Sequence, residues 1–496
     1  MEINKPEDIV LIFPPHRLKE HRYSLGLLYV SGYLRDHGFD NLIAENKLLG
    51  GSSYNYHDKD QSKIDLTNKV IEIKPKIVGF TASTIEIHDV IEMNQKIKQA
   101  TNCFSIIGGP HVTANPKDVL GNGFDVAVIG EGEETALELI NELKKEKPDL
   151  TAIKGIAWKN SAGEIIINQS RELMDIADLS LPAYDKIYME RYLSVSDEVL
   201  RGVPVRAAIV MASRGCPYQC TFCACNKVFG RTVRYRSPEN IRKEIDLLKE
   251  KYNAEAIWFA DDTMTVSYDH VRNICRLMKE KKMYWGAQSR VDLTNKEIVK
   301  LMKESGCLQL DFGVESGNQR VLDEIINKRI NLDQVEKAFA LCRRYGIRTH
   351  AAFMIGLPTE TREEMIQTFK FAQKIRPNWY AFGIFTPLPG TYLYDYYYQS
   401  GEITLADYKN VSFHRPSKKF NKSKVEDLDQ LFSEWRKKLF EGIKWRNLGH
   451  PLFFIKLFFI LPNKLERADY LFFKTRRLVK YFLNKLGFKF SLAGRI

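Results

Sequence analysis

Two separate series of alternating apolar runs and helical patterns constrain the fold of this chain more than any other feature. Strands that alternate with helices are typical of α/β proteins with parallel sheets. The first series predicts a doubly wound parallel sheet, and the second predicts a partial (β/α)6 barrel. Strands of the first series are predicted at residues 8–13, 77–80, 104–107 and 126–129. Strands of the second series are predicted at residues 207–211, 256–259, 284–288, 308–312, 350–355 and 379–385.

The length of 496 residues exceeds what one hydrophobic core usually holds, so we expect several domains of about 150 residues each. An irregular stretch with turn residues separates the two series. We predict a first domain over residues 1–170, a linker over 171–200, a second domain over 201–410, and a helical, basic and aromatic region over 411–496. In that last region, residues 425–444 are predicted to form a helix that packs against the barrel.

The composition is that of an ordinary globular protein, with 44% hydrophobic and 27% charged residues. The first ten residues carry three carboxylates and lack the basic start and apolar core of a secretory signal. We therefore expect a cytoplasmic protein whose cysteines stay reduced.

The net charge of +12 is concentrated at the C-terminus, where residues 451–496 contain ten basic and two acidic side chains. The same segment is rich in Phe and Tyr, and its apolar run at residues 452–461 is too short to cross a bilayer. Two interpretations stay open: an amphipathic element at the inner membrane surface, or a helical lid that packs on the protein and exposes a basic face. No nucleic-acid-binding module is recognisable, so no nucleic-acid partner is expected.

Three cysteines, Cys216, Cys220 and Cys223, lie within eight residues on a loop after the first strand of the second series. Three thiolates at this spacing can hold an iron–sulfur cluster and leave one iron open to bind and activate a small molecule. Two alternatives remain: reduced, half-buried thiols, and a zinc site in which Cys225 is a further ligand. A disulfide framework is disfavoured, because eight cysteines in 496 residues are few.

Small and polar residues follow the strands of the first series, where doubly wound sheets bind their ligands. They form the segments 81–84, 108–111 and 130–133. Glycine lets a bulky ligand approach the backbone, so a large flat or nucleotide-bearing cofactor would fit this rim. The alternative is that these glycines serve only the turns between strand and helix.

Polar groups also follow the strands of the second series, in the segments 261–262, 288–290, 313–317, 356–360 and 387–390. Arg290 can pair with a carboxylate, and Glu315 and Ser316 can hydrogen-bond a ribose. Other roles stay open for two of these residues. Asp261 would then only accept backbone hydrogens, and Glu360 would only cap the helix that follows.

The N-terminal region resembles the cobalamin-binding domain that precedes the radical SAM core in the B12-dependent radical SAM superfamily. The resemblance rests on the segments 24–29, 108–111 and 129–133. The Asp-x-His-x-x-Gly signature of many B12 enzymes is absent, and neither His16 nor His21 fits its spacing. The resemblance therefore implies a cobalt without a histidine from this motif, and it makes His111 a rim or packing residue. The implied cobalamin-binding residues are Thr81, Ser83, Gly108, Gly109, Pro110, Gly130 and Glu131.

Residues 200–400 resemble the radical SAM superfamily. The match is carried by the three cysteines and by the segments 259–262, 289–292, 313–317 and 355–360. It implies a [4Fe–4S] cluster on Cys216, Cys220 and Cys223, with Cys225 left out so that one iron stays open. The implied residues that bind S-adenosylmethionine (SAM) are Phe222, Asp261, Arg290, Glu315, Ser316, Gly356 and Glu360.

Together the two resemblances imply an enzyme similar to class B methyltransferases. One electron, from a donor such as flavodoxin or ferredoxin, would cleave SAM to a 5′-deoxyadenosyl radical, and methylcobalamin would methylate an unactivated carbon. The substrate would be a small or lipid-like molecule. Two alternatives stay open: a radical cyclase or rearrangement enzyme of the same superfamily, and an iron–sulfur redox or binding protein without radical chemistry.

Overall fold

The computed structural model describes residues 1–15, 23–45, 59–398, 401–409, 411, 413–414, 417–448, 463 and 467–468. The strands are β1 (Ile9–Ile12), β2 (Leu42–Ala44), β3 (Ile77–Thr81), β4 (Phe104–Gly108), β5 (Val126–Val128), β6 (Ile156–Lys159), β7 (Ile165–Ile167), β8 (Ala207–Val210), β9 (Ser213–Arg214), β10 (Arg234–Tyr235), β11 (Ala256–Phe259), β12 (Tyr284–Ser289), β13 (Cys307–Glu315), β14 (Arg348–Ile355) and β15 (Trp379–Ile384). The α-helices are α1 (Leu25–Asp36), α2 (Lys59–Ile73), α3 (Ile87–Ala100), α4 (Pro110–Ala114), α5 (Pro116–Leu120), α6 (Glu133–Leu143), α7 (Met189–Tyr192), α8 (Cys225–Val228), α9 (Pro238–Tyr252), α10 (Tyr268–Lys281), α11 (Lys296–Glu304), α12 (Leu332–Tyr345), α13 (Arg362–Ile375), α14 (Tyr392–Tyr397) and α15 (Leu428–Leu448).

The N-terminal sheet has helices on both faces, as the predicted doubly wound fold requires. Ile9 and Leu11 of β1 share one hydrophobic cluster with α1 and α6, whereas Val10 and Ile12 share another with α2 and α3. Five strands run parallel in the order β2-β1-β3-β4-β5, and β6 and β7 extend the edge in antiparallel pairing. The four predicted strands are confirmed. The three strands that the sequence did not predict, β2, β6 and β7, are only three or four residues long.

The second sheet is an open, partial barrel of six parallel strands in the order β8-β11-β12-β13-β14-β15. Strands that neighbour each other in this order are joined by the crossover helices α9 to α13, so all six carboxyl ends lie on one rim. All six predicted strands are confirmed. β13 continues to Glu315, beyond its predicted end, and thereby brings that carboxylate to the rim.

The helix predicted at residues 425–444 is α15, and it packs against the barrel as expected. Leu428, Leu431 and Phe432 are buried in the core that surrounds the second sheet. The Trp435 ring stacks on Phe369 of α13, with 5.1 Å between the ring centroids.

Most of the segment 451–496 lies outside the described residues, and so do His16 and His21. Arg467 is described and is fully buried. Its Nη2 donates to both carboxylate oxygens of Glu255, at 2.7 and 2.6 Å, beside the amino end of β11. This contact favours the packed lid over the membrane element at that point of the segment. In the described part of the chain, no helix is both long and apolar enough to cross a bilayer.

Candidate active site

A cavity of about 530 Å³ lies between the carboxyl ends of the N-terminal strands and the cysteine loop (residues 215–225). One wall carries Thr81, Gly108 and Gly130, and the opposite wall carries Cys225 and Asp262. Most of the lining consists of apolar atoms. The structure therefore brings together two regions that the sequence singled out independently.

Six of the seven cobalamin candidates line this cavity: Thr81, Gly108, Gly109, Pro110, Gly130 and Glu131. Among the described residues that line the cavity, the seventh candidate, Ser83, is absent. Its hydroxyl donates to the Glu86 carboxylate at 2.7 Å. The prediction for Ser83 therefore needs correction, because its side chain is used to close the turn before α3.

The glycines of the rim divide between the two roles that the sequence left open. A Cβ on Gly109, whose φ is +105°, would lie 2.7 Å from the carbonyl oxygen of Ala82, so this glycine is required by the turn. Gly130 also has a positive φ, of +85°, but a Cβ there, or on Gly26, would meet no atom within 4 Å. The backbone at these two positions faces open space, which fits a large planar cofactor such as cobalamin.

The cavity extends from this rim between the sheet and the helices α1 and α6. Leu27 and Leu34 of α1 line this extension together with Ile140 of α6. An elongated ligand can therefore place a flat part at the rim and a narrower part in the apolar space between the sheet and the two helices. The apolar lining and the open space at Gly26 and Gly130 suit the group that the N-terminal resemblance implies.

His111 is a packing residue, as expected. Its side chain is buried, with Nδ1 3.2 Å from the hydroxyl of Thr84 and Nε2 3.4 Å from the Asp118 carboxylate. Glu131 lines the cavity, but its carboxylate is engaged by Arg214 and Arg234 of the barrel. Its predicted contact with cobalamin would have to compete with these two ion pairs.

Asp261, at the carboxyl end of β11, fixes the residues that lead into the cysteine loop. The fully buried Asp261 carboxylate accepts from the Ala212 amide at 2.7 Å and from the Ser213 hydroxyl at 2.5 Å, and His270 Nε2 lies 3.2 Å away. These bonds support the alternative in which Asp261 accepts hydrogen bonds from the backbone, while its predicted contact with SAM stays a prediction.

The three candidate cluster ligands lie on the barrel rim beside the cavity. Cys216 and Cys220 are partly exposed and Cys223 is exposed, and all eight cysteines of the chain are free thiols. The Cys225 amide donates to Cys223 Sγ at 3.4 Å, and the Thr263 hydroxyl lies 3.8 Å from Cys216 Sγ. Such contacts stabilise thiolates that bind a metal cluster.

Arg290, at the end of β12, already has a carboxylate partner. Its Nε and Nη2 donate to Asp292 at 3.0 and 3.1 Å, and Nη2 also donates to the Lys328 carbonyl. The guanidinium lies 3.5 Å from the ring centroid of Tyr218 in the cysteine loop. Arg290 thus adjoins the loop, while its predicted contact with the carboxylate of SAM stays a prediction.

Glu315 forms a buried ion pair that the sequence did not predict. Lys328 Nζ donates to Glu315 Oε1 at 3.0 Å and lies 5.9 Å from the ring centroid of Phe222. Burial opposes the charge on Lys328, but Glu315 and Cys220 outweigh it and raise the pKa of this amine. Glu315 also has a φ of +68°, a conformation that is uncommon for a non-glycine residue. Lys328 lies in an irregular segment, so no periodic pattern could have found it.

Two further SAM candidates, Ser316 and Gly356, are buried by helices of the barrel. The fully buried Ser316 hydroxyl lies 3.1 Å from the Thr368 hydroxyl on α13 and accepts from the Asn318 amide at 3.1 Å. A Cβ on Gly356, whose φ is +76°, would lie 2.6 Å from Leu428 of α15. The Ser316 hydroxyl thus bonds within the protein, and its predicted contact with the ribose of SAM stays a prediction. The positive φ of Gly356 favours glycine at this position.

Glu360 neither caps α13 nor reaches the open space at the rim. Thr361 is the N-cap of α13 and accepts from the Glu364 amide. The Glu360 side chain is fully buried and accepts from the Leu357 amide at 3.0 Å. Burial raises the pKa of this carboxyl to about 8, although amides of the same loop partly oppose the rise. Both sequence interpretations of Glu360 therefore need correction: it stabilises the loop after β14.

Replacing Glu360 with glutamine should change how stability depends on pH. Between its ordinary pKa of 4.5 and the folded value of about 8, the folded protein holds a proton that the unfolded chain has lost. The free energy of unfolding of the wild type should therefore fall by about 1.4 kcal/mol per pH unit across this window. Glutamine has no proton to lose, so Glu360→Gln should gain stability relative to wild type as pH rises, as measured by urea denaturation.

The control for this experiment is Glu363→Gln, which removes an exposed carboxylate three residues further along the chain, on α13. Its stability difference from wild type should stay constant over the same pH range. A constant difference for Glu360→Gln as well would contradict the buried, protonated state of Glu360.

Comparison with known proteins places both halves of the chain. The Radical SAM superfamily model matches residues 210–372, and the B12 binding domain model matches residues 18–140. An uncharacterized methyltransferase of Pyrococcus horikoshii is 32% identical over 435 residues, which cover 85% of this chain and 90% of the relative. The anaerobic magnesium-protoporphyrin IX monomethyl ester cyclase of Rubrivivax gelatinosus is 26% identical over 420 residues, covering 82% of this chain and 72% of that protein.

A solved structure shows the same fold. The radical S-adenosylmethionine methyltransferase TsrM from Kitasatospora setae, with cobalamin and a [4Fe–4S] cluster bound, superposes with a TM-score of 0.62 at 17% identity. The match covers 78% of this chain and 74% of TsrM.

The family matches decide between the alternatives that the cysteines left open. A radical SAM domain uses a [4Fe–4S] cluster and SAM, and a B12-binding domain adds cobalamin as the third cofactor. The zinc site, the inert thiols and the protein without radical chemistry are therefore set aside. By its two domains and by its likeness to the Pyrococcus methyltransferase, this chain belongs to the B12-binding-domain radical SAM superfamily, the cobalamin-dependent radical SAM enzymes.

Proposed function

We propose that this enzyme methylates an unactivated carbon of a small-molecule or lipid-like substrate. The observation that carries the proposal is a cavity that is lined both by the predicted cobalamin rim and by Ala224 and Cys225, which directly follow the third candidate ligand, Cys223. When bound, the cluster and SAM supply a radical that removes hydrogen from carbon, and cobalamin supplies a methyl group. Both must reach one carbon atom, and a shared cavity meets this requirement of proximity.

The residues of the chain would hold the reacting groups and exclude water. Cys216, Cys220 and Cys223 are proposed to bind the cluster, and Arg290 and Glu315 are proposed to bind SAM. The apolar lining of the cavity keeps water away from a reactive carbon radical. Because few polar side chains interrupt that lining, we propose that the reacting part of the substrate is itself apolar.

A small redox protein such as flavodoxin or ferredoxin is proposed as the electron donor. Cys220 and Cys223 line a separate surface groove of about 570 Å³, which supports access to the cluster from outside. Contact of residues 451–496 with a membrane stays a prediction, since all but three of these residues lie outside the described part of the chain.

Isotope labelling in cells tests the proposed reaction even while the substrate is unidentified. Cells with the wild-type enzyme or with Cys220→Ala are grown on methionine with a trideuterated methyl group, and their extracts are compared by mass spectrometry. We expect a compound that carries one trideuteromethyl group and is present only with the wild type. A wild-type-specific compound without the label would instead indicate cyclisation or rearrangement, and would refute methylation.

A further inference from the structure

Four charged residues, of which Glu133 and Arg214 are buried, join the cobalamin rim to the strand pair that carries the cysteine loop. We call them the clamp: Glu131 and Glu133 of the N-terminal domain, and Arg214 and Arg234 of the barrel. Arg214 donates to Glu131 at 2.8 Å and to Glu133 at 2.6 Å, whereas Arg234 donates to Glu131 at 2.8 and 3.1 Å. The Arg214, Glu131 and Glu133 side chains are only 2–7% exposed.

The clamp joins a residue next to the cobalamin rim to a residue next to the candidate cluster ligands. Glu131 directly follows Gly130, whose backbone faces the cavity, and Arg214 is separated from Cys216 by a single glycine. Arg214 and Arg234 are paired residues of the antiparallel strands β9 and β10. Through the ion pair between Glu131 and Arg214, only a few residues separate Gly130 at the rim from Cys216 in the cysteine loop.

Both arginines are held in one orientation by contacts beyond the ion pairs. The Arg214 guanidinium lies 5.3 Å from the ring centroid of Tyr29 and 5.6 Å from that of Phe229. Arg234 donates to the carbonyls of Met174 at 2.7 Å and Phe229 at 3.1 Å. Charge-assisted hydrogen bonds to a fixed guanidinium fork restrict geometry more than a flexible surface pair does.

The clamp is not what keeps the two domains together. The Tyr23 hydroxyl bonds to the Ile209 backbone at 2.9 and 2.8 Å, and the Tyr29 hydroxyl accepts from Arg236 at 2.9 Å. These contacts, and the covalent connection, remain when the clamp is removed. Its loss should therefore loosen the spacing at the cavity while the domains stay docked.

We propose that the clamp fixes the separation between cobalamin and the cluster, so that Glu131, Glu133, Arg214 and Arg234 are positioning residues for the reaction. The part of the proposal that concerns the distance requires only that both cofactors are bound. The consequence for catalysis rests on the proposed methyl transfer. A misplacement of about 1 Å can cost about 100-fold in rate, so even modest loosening would release the radical without transfer to product.

The test measures the distance between the cofactors in the loaded enzyme. Pulsed EPR of the dipolar coupling between cob(II)alamin and the reduced cluster is recorded for wild type, Glu131→Gln and Arg234→Gln. We expect a narrow distance distribution for the wild type and a broader one, shifted to longer distances, for both variants. Arg234 does not line the cavity, so its variant separates the clamp from a direct contact between Glu131 and cobalamin.

The matched control is Glu138→Gln, which removes the ion pair between Arg171 and Glu138. The Glu138 side chain is 45% exposed. It should reproduce the wild-type distribution. A wild-type distribution in Arg234→Gln would overturn the proposal, whatever Glu131→Gln shows. If Arg234→Gln fails to load both cofactors, Arg234→Lys keeps the charge but not the two-pronged contact, and a wild-type distribution there would equally overturn it.

A second readout follows the catalytic consequence separately. The ratio of 5′-deoxyadenosine to trideuteromethylated product should rise by about 10- to 100-fold in both clamp variants. If the distances broaden and no labelled product exists even with the wild type, the proposed function fails while the clamp stands.

Discussion

Replacing Cys220 with alanine should abolish reductive cleavage of SAM. The cluster would keep only two protein thiolates from the cysteine loop, so one of the three irons that a cysteine would hold loses its ligand. We expect the iron content after anaerobic reconstitution to fall sharply, the EPR signal of the reduced cluster to disappear, and 5′-deoxyadenosine to drop below detection.

Cys225→Ala is the matched control, since Cys225 lies two residues from Cys223 on the same loop. Its hydrogen bond to Cys223 Sγ comes from the backbone amide, so alanine preserves it. Iron content and SAM cleavage should therefore remain close to wild type. A variant Cys225→Ala that loses iron as completely as Cys220→Ala would contradict the assignment of the three ligands, and zinc measured in both proteins would show whether a different metal is bound.

The parts of the fold that the sequence predicted well are those whose signal is local. Buried parallel strands are continuous apolar runs, and β11 has the bounds that its apolar run predicts. The starts of the helices α10 and α12 also have a local signal, because Ser267 and Asn331 are N-caps whose side chains accept hydrogen bonds from the first turn. In contrast, β2 has three residues, too few for a period to be recognised.

The candidate site divides in the same way. The three cysteines are a compact local motif, so their place on the barrel rim could be predicted. Asp261, Ser316 and Glu360 follow strands as a ligand-binding residue would, yet each is fully buried and supports a loop. Whether a polar residue at a strand end faces a ligand or braces the backbone depends on neighbours that are distant in sequence.

The clamp shows this dependence on distant neighbours most clearly. Arg214 and Glu131 are 83 residues apart and belong to different domains. In the sequence, Arg214 is an ordinary charged residue beside the cysteine motif and Glu131 is a candidate for contact with cobalamin, and only the folded chain brings the two together. The same reasoning applies to Lys328, which becomes significant through Glu315 and the cysteine loop.

A second buried ion pair, between Arg236 and Glu244, should dominate the stability of the domain interface. Their side chains are 1% and 0% exposed and form an ion pair with hydrogen bonds. Arg236 also donates to the Tyr29 hydroxyl and the Met211 carbonyl, both at 2.9 Å, and the Tyr184 hydroxyl donates to Glu244 at 2.5 Å. Glu244 thus balances a buried cation that contacts both domains.

Glu244→Gln should destabilise the protein by about 3–5 kcal/mol, because it keeps the shape of the side chain but leaves the Arg236 charge buried without a counter-charge. Urea denaturation followed by tryptophan fluorescence measures the loss. The control is Glu280→Gln, which removes the partner of Arg242, an exposed arginine on the same helix α9, and should leave the denaturation midpoint unchanged. Equal midpoints for the two variants would show that Arg236 finds compensation elsewhere.

Because Met211 lines the cavity and its carbonyl accepts from Arg236, the destabilised variant Glu244→Gln should also lose cobalamin affinity, which a titration monitored by visible absorbance can detect.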